Sequence, residues 1–145
     1  MLIRKATVKD FKKLYSFGLN TPELKVNHKE RFMSKEEFLY AIKNKNGVLL
    51  LAEENGEILG FIYADTEDVD RPYKATACLV YIAVSKKFRS KGIASSLYNE
   101  GVKELKKMKI TNIYAWANPH SGVINFLEKQ GLAKGHECVW MDRKI

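Results

Sequence analysis

Apolar positions at helical spacing predict two amphipathic helices in the first third of the sequence. The first follows a short strand over residues 2–6 and begins at Thr7, whose hydroxyl can cap the helix while Asp10 answers it three residues later. Ser34 and Glu37 repeat this capping pattern before the second helix. Both segments are therefore expected to pack one apolar face on a sheet.

Alternating apolar residues then predict a hairpin and a buried strand. The runs 47–53 and 57–65 flank Asn55-Gly56, two residues that tolerate the positive φ angles of a tight turn, so the runs should pair antiparallel. The run 74–84 is apolar on both faces, which is typical of a central strand covered on both sides.

The second half of the sequence predicts two parallel strands joined by a helix. A basic loop at 85–91 leads into a helix with apolar residues every four positions, and 110–117 is again strand-like. A final helix over 122–130 is expected to end at Gly131, and 134–143 to form one or two closing strands.

Composition fits one soluble domain over residues 1–145, with 46% hydrophobic and 29% charged positions. The longest apolar run, 77–84, is far shorter than the roughly 20 residues of a membrane span, and the charged N-terminus lacks an export signal. Cys78 and Cys138 lack metal-ligand spacing, so neither a metal site nor a disulfide is expected, and a reducing cytoplasm fits best.

The formal net charge of +8 favours anionic partners. Charge alone would suit a nucleic-acid-binding protein, but the sequence has no recognition helix, zinc knuckle or RNP-type motif, and its cations cluster in one loop. We therefore expect a small anionic ligand, and neither a nucleic acid nor a membrane, as the partner.

The strongest chemical signal is the stretch 89–94, Arg-Ser-Lys-Gly-Ile-Ala, at the start of the third helix. It places free backbone N–H groups at a helix N-terminus, where the helix dipole favours an anion, and Gly92 leaves room for that anion to approach. The stretch is neither a Walker P-loop nor a GxGxxG dinucleotide fingerprint. It predicts either a phosphate site or an ordinary basic loop that caps a helix.

At this loop the sequence resembles the GNAT family of N-acetyltransferases, whose signature is Arg/Gln-x-x-Gly-x-Gly/Ala after the fourth strand. Four further segments occur in the family's order: Ile3–Asp10, the Asn55-Gly56 turn, Ile82–Val84 and Phe126–Leu132. The resemblance implies a mixed α/β (α+β) domain with a central sheet of six to seven strands, splayed between strands 4 and 5, and about four helices.

The resemblance also implies a binding site for acetyl-CoA, as acyl-donor cosubstrate, in that splay. The pantetheine arm would pair with the fourth strand like an extra strand, and the pyrophosphate would lie on the N–H groups of the loop. The residues it implies for cofactor binding are Ile82, Ala83, Val84, Arg89, Ser90, Lys91, Gly92, Ile93, Ala94, Ser95, Asn118 and Phe126.

The family's usual catalytic residues are missing from their positions. Alignment without gaps puts His120 in place of an Asn and Leu127 in place of the general-acid Tyr, and residues 78–80 of the fourth strand offer no Glu. His120 is the first candidate for a general base, because an imidazole pKa lies near 6.5, and an exposed turn histidine is the alternative. The other candidates by position are Asp65, Glu67 and Tyr81.

The resulting hypothesis is an enzyme, monomeric or homodimeric, that transfers acetyl from acetyl-CoA to a primary amine of a small molecule or protein by direct attack in a ternary complex. The alternative is a catalytically weak module that senses CoA or acyl-CoA. Acceptor choice would come from residues 19–33, the hairpin after Ile62 and the acidic stretch 65–73, which either suits a cationic acceptor or has no role. Four aromatic residues line either an acceptor pocket or the core: Tyr81, Trp116, Phe126 and Trp140.

Overall fold

A mixed sheet with helices on both faces organises the part of the chain that the structure describes, residues 1–67, 75–139 and 141–145 of a computed structural model. The strands of this part are β1 (Leu2–Lys5), β2 (Gly47–Glu54), β3 (Glu57–Asp65), β4 (Thr76–Val84) and β5 (Asn112–Ala115). Its α-helices are α1 (Phe11–Leu19), α2 (Lys35–Lys43), α3 (Ile93–Lys107) and α4 (Val123–Lys129). The strands lie in chain order across the sheet, the first four antiparallel and β5 parallel to β4.

Local sequence signals give the expected turns and helix starts. Asn55 and Gly56 take φ angles of 51° and 79° in the β2–β3 turn. Ser34 Oγ accepts from the Glu37 N–H at 3.2 Å, and the Glu37 carboxylate accepts from the Ser34 N–H at 2.8 Å. The predicted capping boxes and hairpin are therefore confirmed.

The sheet is smaller than expected, because the described residues form five strands and not six or seven. The described part of 134–143 is not in a strand, and Val139 and Met141 are 86% and 87% exposed. A strand forms where one face is buried, and here no apolar face is covered. Cys138, in the same segment, is exposed as well; Trp140 lies outside the described residues.

The two faces of the sheet carry different cores. Aliphatic residues fill the face under α3, where Leu97 and Leu105 pack on Leu50, Ile62 and Leu79. Aromatic rings fill the face under α1 and α2, with Phe38 at 5.1 Å from Phe32 and 6.1 Å from Phe61 between ring centroids. A side chain at Gly101 would stand only 3.1 Å from the Ile62 side chain, so a glycine there lets α3 lie close to β3.

An ion-pair network joins β1, β2 and the start of α1. Arg4 donates two hydrogen bonds to Asp10, both at 2.8 Å, and two to Glu53, at 2.9 and 3.1 Å. The Arg4 guanidinium holds the pKa of Asp10 well below its usual range. The Thr7 N–H donates to the same carboxylate at 2.8 Å, so one acidic side chain both caps the helix entry and fixes it to the sheet.

Candidate active site

Strand β4 is paired on both sides over only part of its length. Cys78 and Leu79 pair with both β3 and β5, whereas residues 81–84 pair with β3 alone among the described residues. The register shifts between Tyr63 and Ala64 of β3, which leaves Val80 without a partner across the ladder. Such a bulge bends a strand, and here it lies where the second half of β4 separates from β5.

The open side of β4 presents backbone polar groups at Ile82. The Ser85 N–H donates to the Leu59 carbonyl of β3 at 2.8 Å, so Ser85 faces β3. Successive residues of a strand point their N–H and C=O groups to alternate sides, so Val84 and Ile82 face away from β3. The Val84 carbonyl accepts from Arg89 Nε at 3.0 Å. An extended ligand would therefore find the N–H and C=O of Ile82 as its pairing groups.

An anion cradle follows directly at the N-terminus of α3. The first helical hydrogen bond runs from the Ser96 N–H to the Gly92 carbonyl at 3.0 Å, so the N–H groups of residues 93–95 have no partner inside the helix. The N-cap residue is Gly92, which has no side chain to accept from these N–H groups. Gly92 has a φ of 77°, and a side chain there would meet nothing within 4 Å. Donors, open space and the helix dipole thus converge at one point.

Among the described residues, two of the four cations in the loop form ion pairs and the other two do not. Arg89 Nη1 lies 2.9 Å from Glu23 Oε1, and Lys87 forms an ion pair with Glu57. Lys86 and Lys91 form no ion pair with any described residue. The Arg89 N–H donates to the Lys86 carbonyl at 3.4 Å, so both the side chain and the N–H of Arg89 are engaged within the protein.

The family model of the acetyltransferase (GNAT) family matches residues 9–132, which includes the open edge of β4, the loop and α3. The chain belongs to the GNAT family. No curated protein matches the sequence. The family is one of acetyl-transferring enzymes, and the match covers both the edge and the cradle.

Solved structures share the GNAT fold at low sequence identity. A transcriptional regulator from Bacillus halodurans C-125 is 22% identical with a TM-score of 0.75, over 98% of this chain and 99% of that one. PaiA N-acetyltransferase from Thermoplasma acidophilum, solved with coenzyme A, is 20% identical with a TM-score of 0.74, over 89% and 87%. An aminoglycoside antibiotic 6'-N-acetyltransferase from Acinetobacter haemolyticus is 18% identical with a TM-score of 0.73, over 100% and 99%.

Leu127, which the ungapped alignment of the sequence puts in place of the general-acid Tyr, is part of the core in this GNAT chain. Leu127 is 6% exposed and packs in the aliphatic cluster under α3. Phe126, one residue earlier, is half-buried, with its ring 6.1 Å from that of Tyr98. A tyrosine at position 127 would have to displace core side chains.

The turn between β5 and α4 holds the two polar residues singled out from the sequence. The Asn118 side-chain oxygen accepts from the His120 N–H at 2.9 Å, and the Asn118 carbonyl accepts from Ser121 Oγ at 2.8 Å. Both Asn118 and His120 are exposed. The Asn118 side chain therefore shapes the turn, and the His120 imidazole is free to meet a ligand or solvent.

Tyr81 lies on the open half of β4 and faces the aromatic cluster. Its ring centroid is 5.2 Å from that of Phe32 and 6.4 Å from that of Phe61. Burial raises the pKa of Tyr81 to about 12. At neutral pH this hydroxyl is protonated, so it is suited to donate a proton or hydrogen bond and not to act as a base.

The acidic end of β3 uses its carboxylates within the protein. Asp65 accepts from the Tyr63 hydroxyl at 3.0 Å, and Glu67 accepts from the Tyr40 hydroxyl and from the Asn46 side chain, both at 2.6 Å. These two acids are thus partly committed to protein donors. The rest of the expected acidic stretch, residues 68–73 with Asp68 and Asp70, lies outside the described residues.

The expected aromatic pocket does not assemble among the described residues. Phe126 packs with the aliphatic cluster under α3, whereas Tyr81 packs with the aromatic cluster on the other face. Trp116 is 54% exposed and its ring meets that of Tyr114 edge-on. Within the same described part, no group of His, Cys, Asp and Glu could hold a metal ion, and no helix is long and apolar enough to cross a membrane.

Proposed function

We propose that the protein transfers the acetyl group of acetyl-CoA to a primary amine while both substrates are bound. Bound acetyl-CoA supplies a thioester whose carbonyl carbon is open to attack by an amine. The amine nitrogen forms the new bond to that carbon, the carbon–sulfur bond breaks, and the amine loses a proton. The observation that carries the proposal is the continuity of the open edge of β4 with the anion cradle of α3.

The described residues fit an extended ligand with a phosphate at one end. The N–H and C=O of Ile82 would pair with amide groups of the pantetheine arm, in the manner of an added strand. The N–H groups of residues 93–95 and the open space at Gly92 would receive the pyrophosphate. Lys86 and Lys91 would add attraction, because neither is neutralised by a described carboxylate.

Proton handling bears on the choice of acceptor. A lysine amine of pKa about 10.4 requires about 4.6 kcal/mol to deprotonate at pH 7, against about 1 kcal/mol for an α-amine. Neither β4 nor position 127 supplies an ionisable acid or base of the usual kind. We therefore propose an acceptor of low amine pKa, with His120 as the base. The leaving thiolate, of thiol pKa about 8.5, needs no acid.

A second candidate is a module that binds acyl-CoA without turning it over. It is motivated by the family's missing catalytic residues, because a buried Leu stands at position 127 and residues 78–80 of β4 include no Glu. Release of free CoA thiol distinguishes the two, since only the transferase releases it in an amine-dependent way.

Calorimetric titration with acetyl-CoA, and with dephospho-CoA for comparison, tests the shared part of both proposals. We expect micromolar binding of acetyl-CoA and weaker binding of dephospho-CoA, which lacks one phosphate. Thiol release is then measured with spermidine, an aminoglycoside and a peptide with a free N-terminus. No binding at millimolar acetyl-CoA would contradict both, and binding with no amine-dependent release would favour the sensor.

A further inference from the structure

The segment between α1 and α2, residues 20–34, touches the open half of β4 at one point and the loop after β4 at another. We call this segment the α1–α2 connection. The Phe32 ring packs on Tyr81 of β4 at 5.2 Å between centroids. Glu23 Oε1 lies 2.9 Å from Arg89 Nη1 in the loop that follows β4. The connection therefore lies beside the open half of β4, on the face of the sheet opposite to α3.

Both partners of the ion pair are held in place by their surroundings. Glu23 belongs to a short 3-10 turn, Pro22–Leu24, whose Leu24 side chain is buried. Arg89 Nε donates to the Val84 carbonyl at 3.0 Å, at the end of the open edge. The hydrogen bond from Arg89 is the main reason that the pKa of Glu23 lies below its usual value. One guanidinium thus joins the end of β4 to the connection.

We infer that Glu23 is a positioning residue, whose ion pair with Arg89 couples occupation of the cofactor loop to the ordering of the α1–α2 connection. The inference rests on the proposed binding of CoA in the loop. The side chains of the pair are 42% and 37% exposed, so the pair adds little to global stability. Its effect lies in fixing a segment beside the open half of β4, where the proposed reaction takes place. Small displacements of a substrate there lower the rate of acetyl transfer.

Hydrogen exchange of the full chain, with and without saturating CoA, tests this coupling. In the wild type, CoA should slow exchange in residues 85–95 and, by about fivefold, in residues 20–34. In Glu23→Gln the protection of 85–95 should remain, and the CoA-dependent protection of 20–34 should disappear. Arg89→Gln should have the same effect on 20–34, and the double variant should add nothing to it, because one interaction is removed in each case.

The matched control is Glu36→Gln, which removes an exposed carboxylate from the first turn of α2 and should behave as the wild type. A purely structural role for Glu23 would raise exchange in 20–34 equally with and without CoA, and that result would overturn the inference. The inference would also be overturned if, in the wild type, CoA slowed exchange in residues 85–95 but left exchange in residues 20–34 unchanged. If CoA protects neither segment, the proposed cofactor site itself fails and the inference with it.

Discussion

The two faces of the sheet are covered by different kinds of side chain. Under α3, aliphatic residues support a helix whose N-terminus is open and polar. Under α1 and α2, aromatic rings pack against one another and against Tyr81 on the open half of β4, several of them edge to face. Phosphate recognition uses backbone groups, which any well-packed helix can present, whereas recognition of an acceptor depends on the side chains around it. We therefore expect the face under α3, which we call the cofactor face after the proposed binding of acetyl-CoA, to depend mainly on backbone geometry, and the face under α1 and α2 to depend on its side chains.

The largest expected effect comes from the aromatic face. Phe38→Ala should lower the free energy of unfolding by about 3–5 kcal/mol, because Phe38 is fully buried and packs on four other rings. The same truncation on the other face, Leu97→Ala, should cost about 2–5 kcal/mol, toward the lower end since no ring pairs are lost. Chemical denaturation of both variants measures the difference. A Leu97→Ala loss clearly above that of Phe38→Ala would reverse the comparison.

Gly92→Glu tests the cofactor face directly. The new carboxylate would stand in the open space of the cradle, so acetyl-CoA affinity should fall by about 100-fold or more. Gly131→Glu is the matched control, because Gly131 also has a positive φ, 91°, and open space around its Cα. Calorimetry measures the affinity of each variant for acetyl-CoA. Thermal unfolding measures the stability that both variants lose because a side chain is strained at a positive φ. Equal affinity in the two variants would mean that the cradle lies elsewhere.

The sequence predicted the loop after β4 and the start of α3 correctly because their signals are local. Gly92, the cations around it and the apolar spacing of α3 lie within one short stretch, and each acts through near neighbours. The bulge at Val80 and the pair of Glu23 with Arg89 join residues far apart in the chain, so no local pattern announces them. The prediction of closing strands over 134–143 was wrong for a related reason. Alternation in 134–143 shows which residues could share a face, but not whether another element covers that face.

Acidification should weaken the attachment of α1 to the sheet, because the Arg4–Asp10 ion pair contributes to that attachment. The folded pKa of Asp10 is depressed, so its stabilising contribution is complete above the ordinary carboxyl pKa of about 3.9 and declines as pH falls below that value. Asp10→Asn should cost about 2 kcal/mol of unfolding free energy at pH 7 and progressively less below about pH 4. Urea denaturation across this range measures it. The control Glu54→Gln, whose partner is the exposed N-terminal amine, should change stability far less.

The smallest expected effect compares two cations of the loop that share one ring. Lys87 and Lys91 both place their Nζ over Phe88, at 4.8 and 5.5 Å from its centroid, but Lys87 is paired with Glu57 and Lys91 with no described carboxylate. Lys91→Gln should weaken acetyl-CoA binding by roughly threefold to fivefold and make that binding less sensitive to salt. Lys87→Gln should change affinity less, because Glu57 already offsets its charge. If Lys87→Gln has the larger effect, the phosphate reaches the loop from the side of the β2–β3 turn, and the cradle at Gly92 is not its main contact.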